Sequence, residues 1–203
     1  MTKKLPQITL ITEAQVPLAG AMLEQAFFND PLNIYTAADP ALRTRIFSWY
    51  FTQSVCAGAS THTVYTTTDQ PEGAAVWMNP YTNKQAAQSD HGKMRQIFGR
   101  EAYERFVGAF SYFRQVHHEV IESPHWYLEL LGVAPHRQGQ GIGKALLLPV
   151  CQRADAEGLP CYLETFTERN IPFYESNGFQ VAQAGVEPQS QISFWAMKRE
   201  PQG

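Results

Sequence analysis

Apolar and polar positions divide this chain into short alternating runs and longer helical ones. "ITLIT" (Ile8–Thr12) predicts a first strand, and the apolar spacing from about Glu13 to Phe28 predicts an amphipathic helix stopped near "NDP". A second helix is expected over roughly Pro40–Ala57, where Phe47, Trp49, Tyr50 and Phe51 recur at helical spacing. "THTVYTT" and "GAAVWMNP" read as two strands joined by a turn at "DQPEG". Thr82–Ile121 reads as mostly helical, with a break at Gly99. "WYLELLGV" (Trp126–Val133) is the next strand, followed by a helix over Gly141–Glu157. Then come a strand Cys161–Phe166, a short helix about Asn170–Asn177, a strand Phe179–Ala182 and a last strand near Ile192–Lys198. Pro149 is expected to kink the long late helix without ending it, because apolar spacing resumes at Val150 and Ala154. This order predicts an α/β fold with a mixed central sheet and helices on both faces.

At 203 residues the chain is expected to form one domain, and 44% hydrophobic residues supply a sizeable core. A net charge of −3 gives no general attraction to nucleic acid or to an anionic membrane. No run of about 18 apolar residues occurs, so the expectation is a soluble, cytoplasmic protein. Cys56, Cys151 and Cys161 lack metal-site spacing and read as reduced structural thiols. His117, His118 and His125 also lack metal-ligand spacing and read as side chains near a solvated helix end. No metal is expected.

"GVAPHRQGQGIGKALL" (Gly132–Leu147) carries the candidate chemistry. Clustered glycine is entropically costly and signals close backbone approach or unusual φ. Here it lies between a strand and a helix, where unpaired N–H groups and the helix dipole favour an anion. Arg137 and Lys144 add positive charge at the rim. The P-loop pattern fails, with Gln138 in place of its first glycine and Ala145 in place of Ser/Thr. The dinucleotide pattern fails because Lys144 replaces the third glycine. The pattern Gln/Arg-x-x-Gly-x-Gly/Ala fits Gln138, Gly141 and Gly143, after Val133-Ala134-Pro135.

With the downstream "CYLETFTERNIPFYESNGF" and the closing "FWAMKR", that pattern resembles the GNAT acetyltransferase superfamily, and within it puromycin N-acetyltransferase-like members. The resemblance implies a GNAT-type, mostly antiparallel sheet and acetyl-CoA as co-substrate, with direct acetyl transfer to an amine. It further implies that backbone around Val133 contacts the pantetheine. Residues Gln138, Gly139, Gln140, Gly141, Ile142, Gly143 and Lys144 hold the pyrophosphate, while Asn170 and Phe173 line the thioester region. Tyr174 then sits near the thioester sulfur.

The chemistry asks for the same groups. An alkyl ammonium must lose a proton before it can attack, and a phenol can protonate the leaving thiolate. Tyr174 is the candidate acid and Glu129 the candidate base; alternation would place Glu129 on one face with Tyr127 and Leu131. His125 and Glu164 are lesser candidates. The oxyanion needs backbone donors where the Gly132–Val133 edge parts from its neighbour. Packing alone also accounts for Tyr174, an ordinary ion pair for Glu129, and buried hydrophobic roles for Cys151 and Cys161. The expected acceptor is a small-molecule amine. A protein N-acetyltransferase and a non-catalytic acyl-CoA sensor remain alternatives, and a homodimer is allowed.

Overall fold

The structure is a computed structural model that describes residues 6–68, 70–81 and 91–202. Its strands are β1 (Ile8–Leu10), β2 (Val64–Thr67), β3 (Gly73–Met78), β4 (Trp126–Val133), β5 (Cys161–Thr165), β6 (Gln180–Val186) and β7 (Ser193–Arg199). Its helices are α1 (Val16–Phe27), α2 (Pro31–Thr36), α3 (Pro40–Ser60), α4 (His91–Phe98), α5 (Arg100–Val120), α6 (Ile142–Glu157) and α7 (Ile171–Glu175). The strands form one sheet in the order β1-β2-β3-β4-β5-β7-β6. Every pairing is antiparallel except β4 with β5. This is the mixed, mostly antiparallel α/β sheet expected.

Two Asp-Pro pairs start α2 and α3. Asp30 accepts from Leu32 N at 2.9 Å, Asp39 accepts from Leu42 N at 2.7 Å, and a proline at each first helical position has no N–H to leave unpaired. The sequence pattern reads "NDP" only as a stop, so α2 is an addition. The break at Gly99 between α4 and α5 is as expected, whereas residues 82–90 of that reading lie outside the described residues. Helix α6 runs through Pro149 without interruption. Strand β6 extends past Ala182 to Val186.

Helices α1 to α5 pack on one face of the sheet. Leu23, Phe47, Phe51, Phe98 and Phe106 meet Val64, Val76 and Leu130 there, and Phe113 meets Tyr162, Phe194 and Ala196. On the other face, α6 and α7 bury Ile142, Leu146, Val150 and Tyr174 against Ala75, Trp77 and Leu128. At the start of β4, Trp126 Nε1 donates to Glu157 Oε2 at 2.8 Å, and Arg153 lies over the indole ring.

Strand β4 does not alternate regularly. Val76 pairs with Leu130 and Trp77 with Leu128, leaving Glu129 as an extra residue opposite β3. This bulge places Glu129 and Leu130 toward the same helices and sends Leu131 to the α6 side. The expectation that Glu129 shares a face with Leu131 is therefore corrected; one inserted residue inverts the alternation beyond it.

Helix α1 approaches β4 closely at Gly132. A Cβ there would lie 2.6 Å from Leu23 Cδ2, 3.1 Å from Phe27 Cε2 and 3.3 Å from Ala26 Cβ. Gly132→Ala is accordingly expected to cost about 1–3 kcal/mol by overpacking. Urea unfolding would show a lower midpoint with an unchanged slope, and an unchanged midpoint would mean α1 retreats without cost.

Candidate active site

Strands β4 and β5 share only two register pairs, Trp126 with Cys161 and Tyr127 with Tyr162. Beyond these, β4 continues to Val133 and β5 to Thr165 without pairing, so the sheet opens between them. The backbone edge from Leu128 to Val133 faces that opening, where donors for an oxyanion were expected.

The glycine loop stands at the end of β4. Gly139 (φ 71°) and Gly141 (φ 85°, ψ 0°) occupy the left-handed region, and Gly141 caps α6 with no side-chain cap. These angles turn the chain so that the first N–H groups of α6 are open to solvent, and a side chain is disfavoured at both positions. Gln138 Nε2 donates to Val133 O at 3.2 Å and Gln140 Nε2 donates to His136 O at 3.3 Å, fixing the loop from both sides. Lys144 is exposed on the first turn of α6, whereas Arg137 pairs with Glu72 at 3.0 Å. The rim thus holds one positive charge from Lys144 and a second that is already balanced. A phosphate-bearing co-substrate fits this cradle: its lining is open backbone N–H, helix dipole and lysine.

Phe173 closes the floor beside the loop, 3.2 Å from where a Gly143 Cβ would sit. Asn170 Nδ2 donates to Thr165 Oγ1 at 3.1 Å, tying the turn before α7 to the end of β5. Tyr174 is 8% exposed, with its ring edge-on to Phe179 at 5.9 Å. Burial and then the negative charge of Asp30 raise its pKa, which keeps the phenol protonated. Asn170, Phe173 and Tyr174 therefore gather with the loop on the α6 side of the opening.

The carboxylates lie on the opposite face. Half-buried Glu129 accepts from Ser54 Oγ at 3.2 Å and makes a longer contact of 3.5 Å with the Tyr50 hydroxyl, both from α3. Burial raises its pKa and those two hydroxyls oppose the shift. Glu164, on β5, lies against the phenols of Tyr127 and Tyr162; burial pushes it up to about 7 while the phenols oppose. It belongs to the same cluster as Glu129.

His125 does not join them. Its Nε2 lies 2.6 Å from His117 Nε2 and its Nδ1 lies 2.6 Å from Ser123 O, at the closed start of β4. The His117 ring stacks on Tyr162 at 4.1 Å, so this pair is packed against the sheet, not left at a solvated helix end; His118 alone of the three is exposed. Cys151 and Cys161 are buried against one another on α6 and β5, on the face of the sheet opposite the carboxylates, whereas Cys56 is exposed. Among the described residues no group of three His, Cys, Asp or Glu could hold a metal.

One functional candidate is new. Asp30, between α1 and α2, has its carboxyl pushed up to about 6 by burial, against the backbone hydrogen bonds from Leu32 and Asn33. Its sequence signal, an Asp before a Pro, is also that of an ordinary helix cap, so spacing alone does not single it out.

The acetyltransferase (GNAT) family model matches residues 62–179, more than half of the chain. The chain belongs to this family. It is an N-acetyltransferase, and its family uses acetyl-CoA as co-substrate. An uncharacterized N-acetyltransferase of Schizosaccharomyces pombe is 26% identical over 91% of this chain and 79% of its own length. Glucosamine 6-phosphate N-acetyltransferase of Trypanosoma brucei is 28% identical over 44% of this chain and 60% of its own. Among solved structures, a histone acetyltransferase HPA2 and related acetyltransferase of Corynebacterium glutamicum superposes with a TM-score of 0.70 over 98% of both chains, at 24% identity. Among the described residues, no helix of this N-acetyltransferase is long and apolar enough to cross a membrane.

Proposed function

We propose that this GNAT protein is a single-domain, cytoplasmic enzyme that transfers acetyl from acetyl-CoA directly to a small-molecule amine, in the manner of the puromycin-type subgroup. The observation that carries the reading is the placement of a phosphate cradle and a buried, protonated phenol on one side of the β4–β5 opening, with carboxylates on the other. Gln138 to Lys144 hold the pyrophosphate, backbone around Val133 takes the pantetheine, and Asn170 and Phe173 line the thioester. Glu129 receives the ammonium proton through a water, the free amine attacks the acetyl carbonyl, and Tyr174 protonates the departing thiolate. Half-buried Tyr50, Phe110 and Tyr127 next to the carboxylates suit a compact acceptor with an apolar body. No nucleic acid, membrane or metal takes part, and a homodimer is compatible with this scheme.

Direct transfer is tested by screening amines with thiol detection, followed by two-substrate kinetics. The expected result is intersecting double-reciprocal lines, since both substrates must be bound together. Replacing Cys151 and Cys161 together with Ala is expected to leave turnover within about tenfold, because neither thiol lies on the carboxylate face. Parallel lines together with an acetylated cysteine in the mass spectrum would establish a covalent relay instead.

A further inference from the structure

The two rungs that join β4 and β5 fix what stands just beyond them. Trp126 pairs with Cys161 and Tyr127 with Tyr162, and two residues further along each strand come Glu129 and Glu164. The two carboxylates therefore occupy matching positions on either lip of the opening. They also share a face. Glu129 accepts from Ser54 Oγ on α3. On β5, Tyr162 and Phe166 both pack on the α5 side, where Phe113 lies 4.6 Å from Phe166, and strand alternation puts Glu164 between them on that side. Helices α3 and α5 meet on this face, with the Tyr50 and Phe110 rings 6.4 Å apart.

Among the described residues, no ion pair includes Glu129 or Glu164. The arginines of α3 and α5 are directed elsewhere. Arg43 donates to the carbonyls of Ala37 and Ala38, Arg45 to that of Ile97, Arg100 pairs with Glu104, Arg105 pairs with Glu101, and Arg114 is exposed. His117 brings its Nε2 to His125. Carboxylates withdrawn from water are ordinarily paired, and two that face one another without a cation repel. A monoamine supplies one positive charge, which the base role of Glu129 already uses. A second observation points the same way. Tyr162 is fully buried, and its hydroxyl, beside Glu164, has no hydrogen-bond partner within reach among the described residues. A phenol hydroxyl donates to an ionised carboxylate, so this donor is satisfied when Glu164 is held as the anion.

We propose that the acceptor is a dication, a linear diamine, and that Glu164 is the specificity-determining residue that holds its second ammonium while the first is acetylated at Glu129. This rests on the N-acetyl-transfer reading above and deepens it. The hydroxyls of Tyr127 and Tyr162 steady the ionised Glu164 carboxylate, and the half-buried rings of Tyr50 and Phe110 take the methylene chain. Burial lifts the Glu164 carboxyl to about 7, and an ammonium beside it favours the charged form again. Acetylation makes the near nitrogen neutral. The mono-acetylated product, reversed in the site, would set a neutral amide against Glu164, so transfer stops after one acetyl group.

The test compares wild type with Glu164→Gln, which keeps the shape and removes the charge. The substrates are linear diamines from diaminopropane to diaminohexane, each beside the monoamine of equal carbon number, with arylalkylamines and aminosugars as further acceptors. For wild type, kcat/KM for the best diamine is expected to exceed that for its monoamine about 10–100-fold, the worth of one hydrogen-bonded charge pair. Mass spectrometry should show the mono-acetylated diamine alone as product. In Glu164→Gln the ratio is expected to fall to within about threefold of unity through a higher diamine KM, with acetyl-CoA affinity within about twofold of wild type as the measure of an intact fold. A wild-type ratio near unity, a di-acetylated product formed at a comparable rate, or a ratio that survives in Glu164→Gln overturns the proposal. The first two of these need no variant and decide the matter should Glu164→Gln fail to fold. Acetylation of an arylalkylamine or an aminosugar but of no diamine overturns the dication and spares the transfer reading. A wild-type protein that binds acetyl-CoA yet acetylates none of these amines overturns the transfer reading itself.

Discussion

Tyr174→Phe is expected to lower kcat by roughly 10²–10⁴-fold, with acetyl-CoA affinity within about twofold of wild type. The ring is a packing element between Phe173 and Phe179, and phenylalanine preserves that contact, so fold and cofactor floor survive. What disappears is one O–H that burial and a neighbouring carboxylate keep protonated. The thiolate must then leave unprotonated or take its proton from water, and the barrier to C–S cleavage rises accordingly. Single-turnover kinetics with saturating acetyl-CoA isolates that step. An unchanged rate would reduce Tyr174 to a packed aromatic.

Gly141→Val is expected to abolish acetyl-CoA binding. At φ 85° and ψ 0° the residue lies where a β-branched side chain costs at least about 1–2 kcal/mol, so valine drives the loop toward ordinary φ and turns the α6 N–H groups away from the phosphates. Wild type at a ligand concentration of a hundred times Kd should gain about 2.7 kcal/mol of stability, visible as a rise in melting temperature. The variant should show no rise. Calorimetry giving Gly141→Val an affinity within about threefold of wild type would remove the loop from the cofactor site.

Most strands and long helices could be read from the chain because their apolar periods are clean. Trp126–Val133 and the helix after Gly141 are cases in which local pattern and tertiary environment agree. The glycine loop was legible for the same reason: its glycines at 139 and 141 serve local backbone angles. The faces of β4 were not. A bulge is set by how Glu129 meets β3 and α3, and no residue type in "YLELL" announces it. Helix α2 escaped because six residues are too few to display a period. Asp30 stood out only once burial had raised its carboxyl, whereas Glu164 was already a lesser candidate along the chain.

The distribution of helices over the two faces also divides the chain along its length. Everything that packs beside the carboxylates on the acceptor face, α1 to α5, precedes β4, whereas the phosphate loop, Phe173 and Tyr174 all follow it. The two parts also meet away from the β4–β5 pairs, where α6 packs on Ala75 and Trp77 of β3 and Phe113 of α5 packs on Phe194 of β7. On the proposed scheme, acceptor preference can change through substitutions on α2 and α3 that leave the glycine loop after β4 untouched.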